Sequence, residues 1–201
     1  LAQRLERTTM ELARLRSRQF VMRFLDEHNV YRHFYPERWH EAEQRWDEGF
    51  TPDRGQVFTR FRDEVRSIDR DEETDIVTVA MVWPDPLVAR DWANAYVASF
   101  NAYIRERTME DVRLKQAYLE KELRQSDVLE IQQSIYRLIE AQTAIAMLAS
   151  AREEYVLEVI DPARRYLPIV VDLDKLPVNR IVEAEQKARR ARIALAPSAT
   201  S

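Results

Sequence analysis

Only two glycines, Gly49 and Gly55, occur in 201 residues. A chain so poor in the one residue that enters left-handed backbone freely has few places for tight turns, and long helices follow from that scarcity. The clearest helix start is Asp85-Pro86. An aspartate there accepts from free amides of the first turn, and proline's fixed φ and missing N–H suit the first helical position. Small or apolar residues at Val88, Trp92, Ala95, Ser99, Ala102 and Tyr103 keep the helical period, so a helix is expected over about 86–123. At 1.5 Å per residue it would be about 57 Å long, more than a domain of this size can bury along its length. Its far half, Arg105–Lys121, is more polar, which suits projection from a small core. Asp127 and Glu130 have capping-box spacing and open a return helix over about 127–153, carrying Leu129, Ile135, Leu138, Ile139, Ile145 and Leu148.

The remaining segments are shorter. Leu5, Leu12, Leu15, Phe20, Phe24 and Leu25 predict one amphipathic helix from Ala2 to about His28, and Pro36 is a natural first-turn residue for another through Trp46. A loop follows over Asp47–Arg54, then a short helix through Val57, Phe58 and Phe61. Val65–Asp69 and Asp75–Trp83 read as strands joined by the turn at Asp71–Thr74. Both alternating faces of the second are largely apolar, as in a covered inner strand. Tyr155–Ile160 is a further strand, stopped by Asp161-Pro162. Beyond it, Ile169–Leu173 and Arg192–Ala196 read as strands and Val178–Arg190 as a helix. The class is α+β, a small mixed sheet base packed with helices plus the long helix and its return.

Little in the chain points to catalysis. With no cysteine, thiolate metal sites and disulfides are excluded, and no glycine-rich phosphate loop is present. The net charge of −4 comes from well-mixed residues, without the basic concentration that nucleic acid requires. No apolar run approaches the roughly 18–20 residues of a membrane span, so the chain itself is expected to be soluble. His33, Glu37 and His40 would share a helical face but for Pro36, and read as exposed polar groups more readily than as a metal site. Ser17, Ser67 and Ser99 have no histidine nearby in sequence, and Glu153-Glu154 point apart on a helix. Arg164-Arg165 and Arg189-Arg190 are short basic pairs of the kind usually solvated. Trp39, Trp46, Trp83 and Trp92 suit sugar stacking or core packing, with packing favoured for Trp83 and Trp92. No catalytic, cofactor-binding or metal residues are assigned.

Three stretches, in order, carry a resemblance. The first is Leu15-Arg16-Ser17-Arg18-Gln19-Phe20 with Phe24-Leu25 and Phe34-Tyr35-Pro36-Glu37-Arg38-Trp39. The second runs from Thr78 through Trp83-Pro84-Asp85-Pro86 to Trp92-Ala93-Asn94, Tyr96-Val97 and Asn101. The third joins Leu138-Ile139-Glu140-Ala141-Gln142 and Ala146-Met147-Leu148-Ala149 to Glu153-Glu154-Tyr155-Val156 and Ile160-Asp161-Pro162-Ala163. Together they resemble the polysaccharide co-polymerase, or Wzz-type O-antigen chain-length determinant, family over residues 15–163. The resemblance implies an inner-membrane protein whose periplasmic α/β base and long helix assemble into rings. It implies a non-catalytic regulator of lipopolysaccharide O-antigen or related chain length, with no cofactor. Its partners would be further copies of itself, a polysaccharide polymerase and the nascent glycan, with anchoring to the inner membrane through segments outside this sequence and no nucleic acid.

Residues 1–163 then form the domain that resembles the family, and 164–190 a linker or helical bridge, where the family pattern would continue into a membrane helix. Residues 191–201 hold the strand Arg192–Ala196, and Ala191–Ser198 is similar to the family's first strand, which suggests a circular permutation that completes the base sheet. The oligomer interface is expected on the exposed flanks of the long helix, at Arg105, Arg107, Glu110, Arg113, Lys115, Glu120 and Arg124. The competing readings are a soluble helical interaction module, engineered or natural, and the adaptor domain of a related tyrosine autokinase.

Overall fold

The computed structural model describes residues 2–71, 73–74, 76–151, 155–164 and 169–172, with side chains from Thr9 to Arg164. The expected helix at 178–190 and strand at 191–196 lie outside them. The described residues fall into two compact units: those up to Tyr103 together with Glu158–Asp172, and Ile104–Leu157.

The first unit opens with two helices where one was expected, α1 (Ala2–Arg16) and α2 (Arg18–Glu27). Ser17 lies between them in extended backbone, and its Oγ accepts the Phe20 N–H at 3.3 Å. The serine therefore ends one helix and caps the next, so the apolar period runs through a break. Asn29, with φ of 44°, closes α2, and the short α3 (Tyr31–Phe34) follows. The helix expected from Pro36 to Trp46 is absent. Pro36–Arg38 is a single 3-10 turn, followed by a hairpin of β1 (Trp39–His40) and β2 (Arg45–Trp46). Trp39 faces Trp46 across it, with ring centroids 4.9 Å apart, and Gln44 takes the left-handed turn position at φ 50°. Cross-strand aromatic packing outweighs the helical spacing of the same residues. Asp53 caps α4 (Arg54–Arg60), which widens into a π turn at Phe61–Val65 before β3 (Arg66–Arg70).

β3 and β4 (Ile76–Met81) are antiparallel around the expected turn, where Asp71 Oδ1 accepts the N–H groups of Glu73 and Thr74. The sheet order is β3-β4-β6-β5, with β5 at Glu158–Asp161 and β6 at Ile169–Asp172. One expectation changes here. The described strands are antiparallel throughout, not mixed, because each neighbour returns along the strand beside it. β6 lies where Ile169–Leu173 was expected as a strand, and it takes an inner place in the sheet. β4 is an inner strand as expected, yet only Val77 and Val79 on one face are fully buried, while Ile76, Thr78 and Ala80 are half-covered.

α5 (Pro86–Gln125) runs for 40 residues, about 60 Å at 1.5 Å each. Asp85 opens it as expected, its Oδ1 accepting the Leu87 N–H at 2.8 Å. Within the first unit α5 buries Trp92, Ala93, Tyr96, Val97, Phe100 and Tyr103, the stripe that helical spacing requires of a core face. Phe20 meets three of these rings, Tyr96 at 4.9 Å, Phe100 at 5.0 Å and Tyr103 at 5.5 Å. Tyr96 donates its hydroxyl proton to the Leu15 carbonyl at 2.6 Å and accepts from Arg66 at 2.5 Å. Burial pushes its phenol up to about 12.

In the second unit the far end of α5 is joined by α6 (Leu129–Ala151). The expected capping box does not form: α6 starts at Leu129, and it is the Ser126 Oγ, not an Asp127 carboxylate, that accepts an N–H here, from Val128 at 3.4 Å. Gln116 donates to Thr143 at 3.1 Å, so the two helices pass each other side by side. α6 fully buries only Ile135 and Ala149, however, and leaves Leu129, Ile131, Tyr136, Leu138 and Met147 exposed.

Candidate functional site

The histidines do not converge. His28 Nε2 lies 2.8 Å from Ser99 Oγ and its ring rests 4.6 Å from Phe24. His33 meets the edge of Trp92 at 5.0 Å, and His40 Nε2 is 2.7 Å from Asp47 Oδ1. Glu37 is on the exposed 3-10 turn, so the His33, Glu37, His40 grouping is not assembled. Among the described residues no three His, Cys, Asp or Glu side chains are placed to hold a metal ion. The His28–Ser99 contact joins groups 71 positions apart, for which no sequence signal exists. Ser99 nonetheless sits inside α5, whose backbone N–H groups are committed to the helix ladder and offer no amide pair for an oxyanion. Burial holds the His28 ring below its ordinary pKa, as it does for His33, where Arg32 adds to the effect. These are packing histidines. Ser17 is a helix cap, and Ser67 donates to Asp69 at 2.7 Å. Glu153-Glu154, Arg165 and Arg189-Arg190 lie outside the described residues.

The tryptophans divide. Trp92 is buried, and Trp83 joins it at 5.0 Å in a cluster with Phe34. Beside that cluster is a groove of about 370 Å³ between the end of β4 and the first turns of α5, lined by Met81, Trp83, Pro84, Ala89, Arg90 and Arg164. Its two guanidiniums already face carboxylates, Arg90 with Asp91 at 2.6 Å and Arg164 with Asp161 at 3.6 Å. Trp39 and Trp46 stay half-buried on the hairpin.

Two of the stretches that carry the family resemblance meet in the first unit. Asn94 Nδ2 donates to the Ala163 carbonyl at 3.1 Å, and its Oδ1 accepts the Ala163 N–H at 2.8 Å. No family model, curated protein or solved structure matches the chain. Among the described residues no helix is long and apolar enough to cross a membrane.

The surface that stands out belongs to the second unit. Leu129, Ile131, Tyr136, Leu138 and Met147 on α6 are between 49% and 67% exposed. Ile131 and Leu138 fall on one line of the helix and Leu129, Tyr136 and Met147 on another, about 160° apart at 3.6 residues per turn. On α5, Met109, Leu114 and Tyr118 are exposed as well. Nine of the thirteen large exposed hydrophobic side chains of the described residues lie in this unit. Single exposed leucines are ordinary, whereas aligned exposed side chains on the flanks of one helix make it a candidate contact surface.

The seven charged residues expected at an interface occupy the same unit without forming one line. Arg113 forks onto Glu110 at 2.7 and 2.9 Å, and Lys115 pairs with Asp111 at 2.5 Å. Arg105 lines a groove of about 570 Å³ with Met109, Glu110, Arg113, Gln116 and Ala146. Arg107, Glu120 and Arg124 are exposed. At 100° per residue the seven wind round α5, so a neighbour would meet only some of them. Sequence reasoning looked to the charges of α5 and missed the apolar stripes of α6. The signal was present in the heptad spacing of Ile131 and Leu138 and of Leu129 and Tyr136.

Proposed function

We propose that this chain is the periplasmic part of a chain-length determinant of the Wzz type, a non-catalytic scaffold that self-assembles at the inner membrane and governs the length of a surface polysaccharide. One observation carries the reading: two apolar stripes on opposite flanks of α6. A single self-complementary patch would serve an isologous dimer and leave the other stripe bare. Two different stripes suit head-to-tail contacts, in which one flank of each subunit meets the opposite flank of the next; such contacts give rings where the rotation between neighbours closes and open filaments where it does not. The meeting of Asn94 with Ala163 supports the family reading, because it ties together stretches that the resemblance picks out separately.

Sedimentation velocity over a range of concentrations is the test. The expected result is a discrete species several times the 23.9 kDa of one chain. Charge reversal at Arg113 or Arg124 is expected to shift that mass while leaving the circular dichroism of the base unchanged. A chain that stays monomeric at every concentration would sink the scaffold reading. In the full-length protein, variants that lower the mass should broaden the length distribution of the polysaccharide on a gel.

A further inference from the structure

The three histidines differ in what meets the ring nitrogen. His40 Nε2 faces the Asp47 carboxylate at 2.7 Å, which accepts from a charged ring as well as from a neutral one. His28 Nε2 faces the Ser99 hydroxyl at 2.8 Å, which both donates and accepts. His33 Nε2 instead accepts from Arg32 Nε at 3.4 Å. A guanidinium has donors only, so that nitrogen must keep its lone pair, and the bond exists only while the ring is neutral with its proton on Nδ1. Arg32 is also a link to the hairpin, because its Nη1 donates to Glu41 at 3.3 Å. Glu41 in turn accepts the Trp39 indole N–H at 2.6 Å and the Gln44 amide at 3.2 Å. The His33 ring itself meets Trp92 at 5.0 Å and Trp83 at 6.5 Å, nearly perpendicular to both.

From this chain of contacts we infer that His33 is a proton switch for the 39–46 hairpin, acting through Arg32. Protonation removes the lone pair at Nε2 and sets two cations 3.4 Å apart, so the guanidinium turns away from the ring. The same guanidinium holds Glu41, so the carboxylate that accepts the Trp39 indole N–H is re-set with it. Acid therefore alters the tie between α3 and the hairpin, while the bonds of His40 and His28 survive a change of charge. The groups that face the ring fix where this happens. Burial disfavours the charged ring most and Arg32 disfavours it further, against Glu41 on the hairpin and Asp85 at the start of α5, which favour it. The neutral, Arg32-bound form thus holds at neutral pH, and the change comes below 6.5, the ordinary imidazole value.

Proton–nitrogen spectra of the nitrogen-15-labelled chain, taken through this range, are the measurement. The rings are assigned through His28→Gln, His33→Gln and His40→Gln, and the indoles through Trp39→Phe and Trp92→Phe. The expected result is that the Trp39 indole signal moves with the midpoint of the His33 ring, below 6.5. That movement should persist in His40→Gln and vanish in His33→Gln. In Arg32→Ala the His33 midpoint should rise, because a neighbouring cation is gone. There the Trp39 signal should no longer follow it, while that of Trp92, in contact with the ring, still does. Arg32 is only half-buried, so this variant tests the relay even where glutamine at position 33 disturbs the packing. A Trp39 signal that stays still, that follows His40, or that follows His33 undiminished in Arg32→Ala overturns the switch.

Discussion

Asn94 satisfies both backbone groups of a single distant residue, Ala163. Ala163 is buried, so its N–H and carbonyl cannot turn to water when the amide is removed. Asn94→Ala is therefore expected to cost about 1–3 kcal/mol, the penalty of leaving buried groups unpaired, measured by urea unfolding. Asn94→Asp keeps the acceptor but sets a carboxylate against the carbonyl, and should be no better at neutral pH. The sequence marks both residues through the family resemblance. It holds no local sign that they touch, since a bond across 69 positions is fixed only when the chain has folded. His28 supplies a second test. Its pKa is lowered on folding by burial, against a smaller opposing effect of Glu27, so the unfolded chain binds the proton more readily. Its contribution is fully present above about 6.5, the unfolded value, and is lost as pH falls through the lower folded value. His28→Gln keeps a hydrogen-bonding group for Ser99 but does not titrate. Its unfolding free energy should therefore fall less between pH 7 and pH 5 than that of the parent chain. An identical fall in both would assign the acid sensitivity elsewhere, with His33 next in line.

Helix starts and stops divide the elements that could be read in advance from those that could not. Asp85-Pro86 was legible because both residues act within one turn, and the structure places the cap there. The break at Ser17 was not, because the apolar period of Leu12, Leu15, Phe20 and Phe24 continues across it and a serine interrupts no pattern. Ser17→Ala removes the acceptor for the Phe20 N–H and should destabilise the first unit by about 1 kcal/mol, read from its thermal unfolding. A loss near zero would mean that the helices run on through residue 17 in the variant. The hairpin at 39–46 was misread for a related reason: Trp39, Ala42 and Trp46 have helical spacing, and their pairing across strands depends on a turn at Gln44 that spacing does not encode. Strand β4 was legible from its run of valine, isoleucine and threonine. The inner place of β6 was not, because strand order is a property of the whole sheet.

At the scale of the molecule, the two units bury their surfaces unequally. The first packs aromatic rings from α2 and α5 closely, whereas α6 in the second keeps apolar stripes in the open on two flanks. The arrangement of those stripes makes the polarity of the proposed contact testable with two point variants. Leu138→Glu places a charge on one flank of α6 and Met147→Glu places one on the other. In a head-to-tail assembly each change spoils one half of every contact, so either variant alone should sediment as a monomer. Each variant still owns the half that the other lacks. Mixed in equal amounts they should form a dimer through one intact contact, and stop there because both outer flanks carry the charge. An isologous contact behaves differently: one variant would dissociate, the other would assemble like the parent chain, and mixing would rescue nothing. A mixture that grows beyond a dimer would place the contact away from α6 altogether. Both variant side chains are exposed in the single chain, so their helical circular dichroism should match the parent's. The mass of the equimolar mixture therefore reads the polarity of the contact directly.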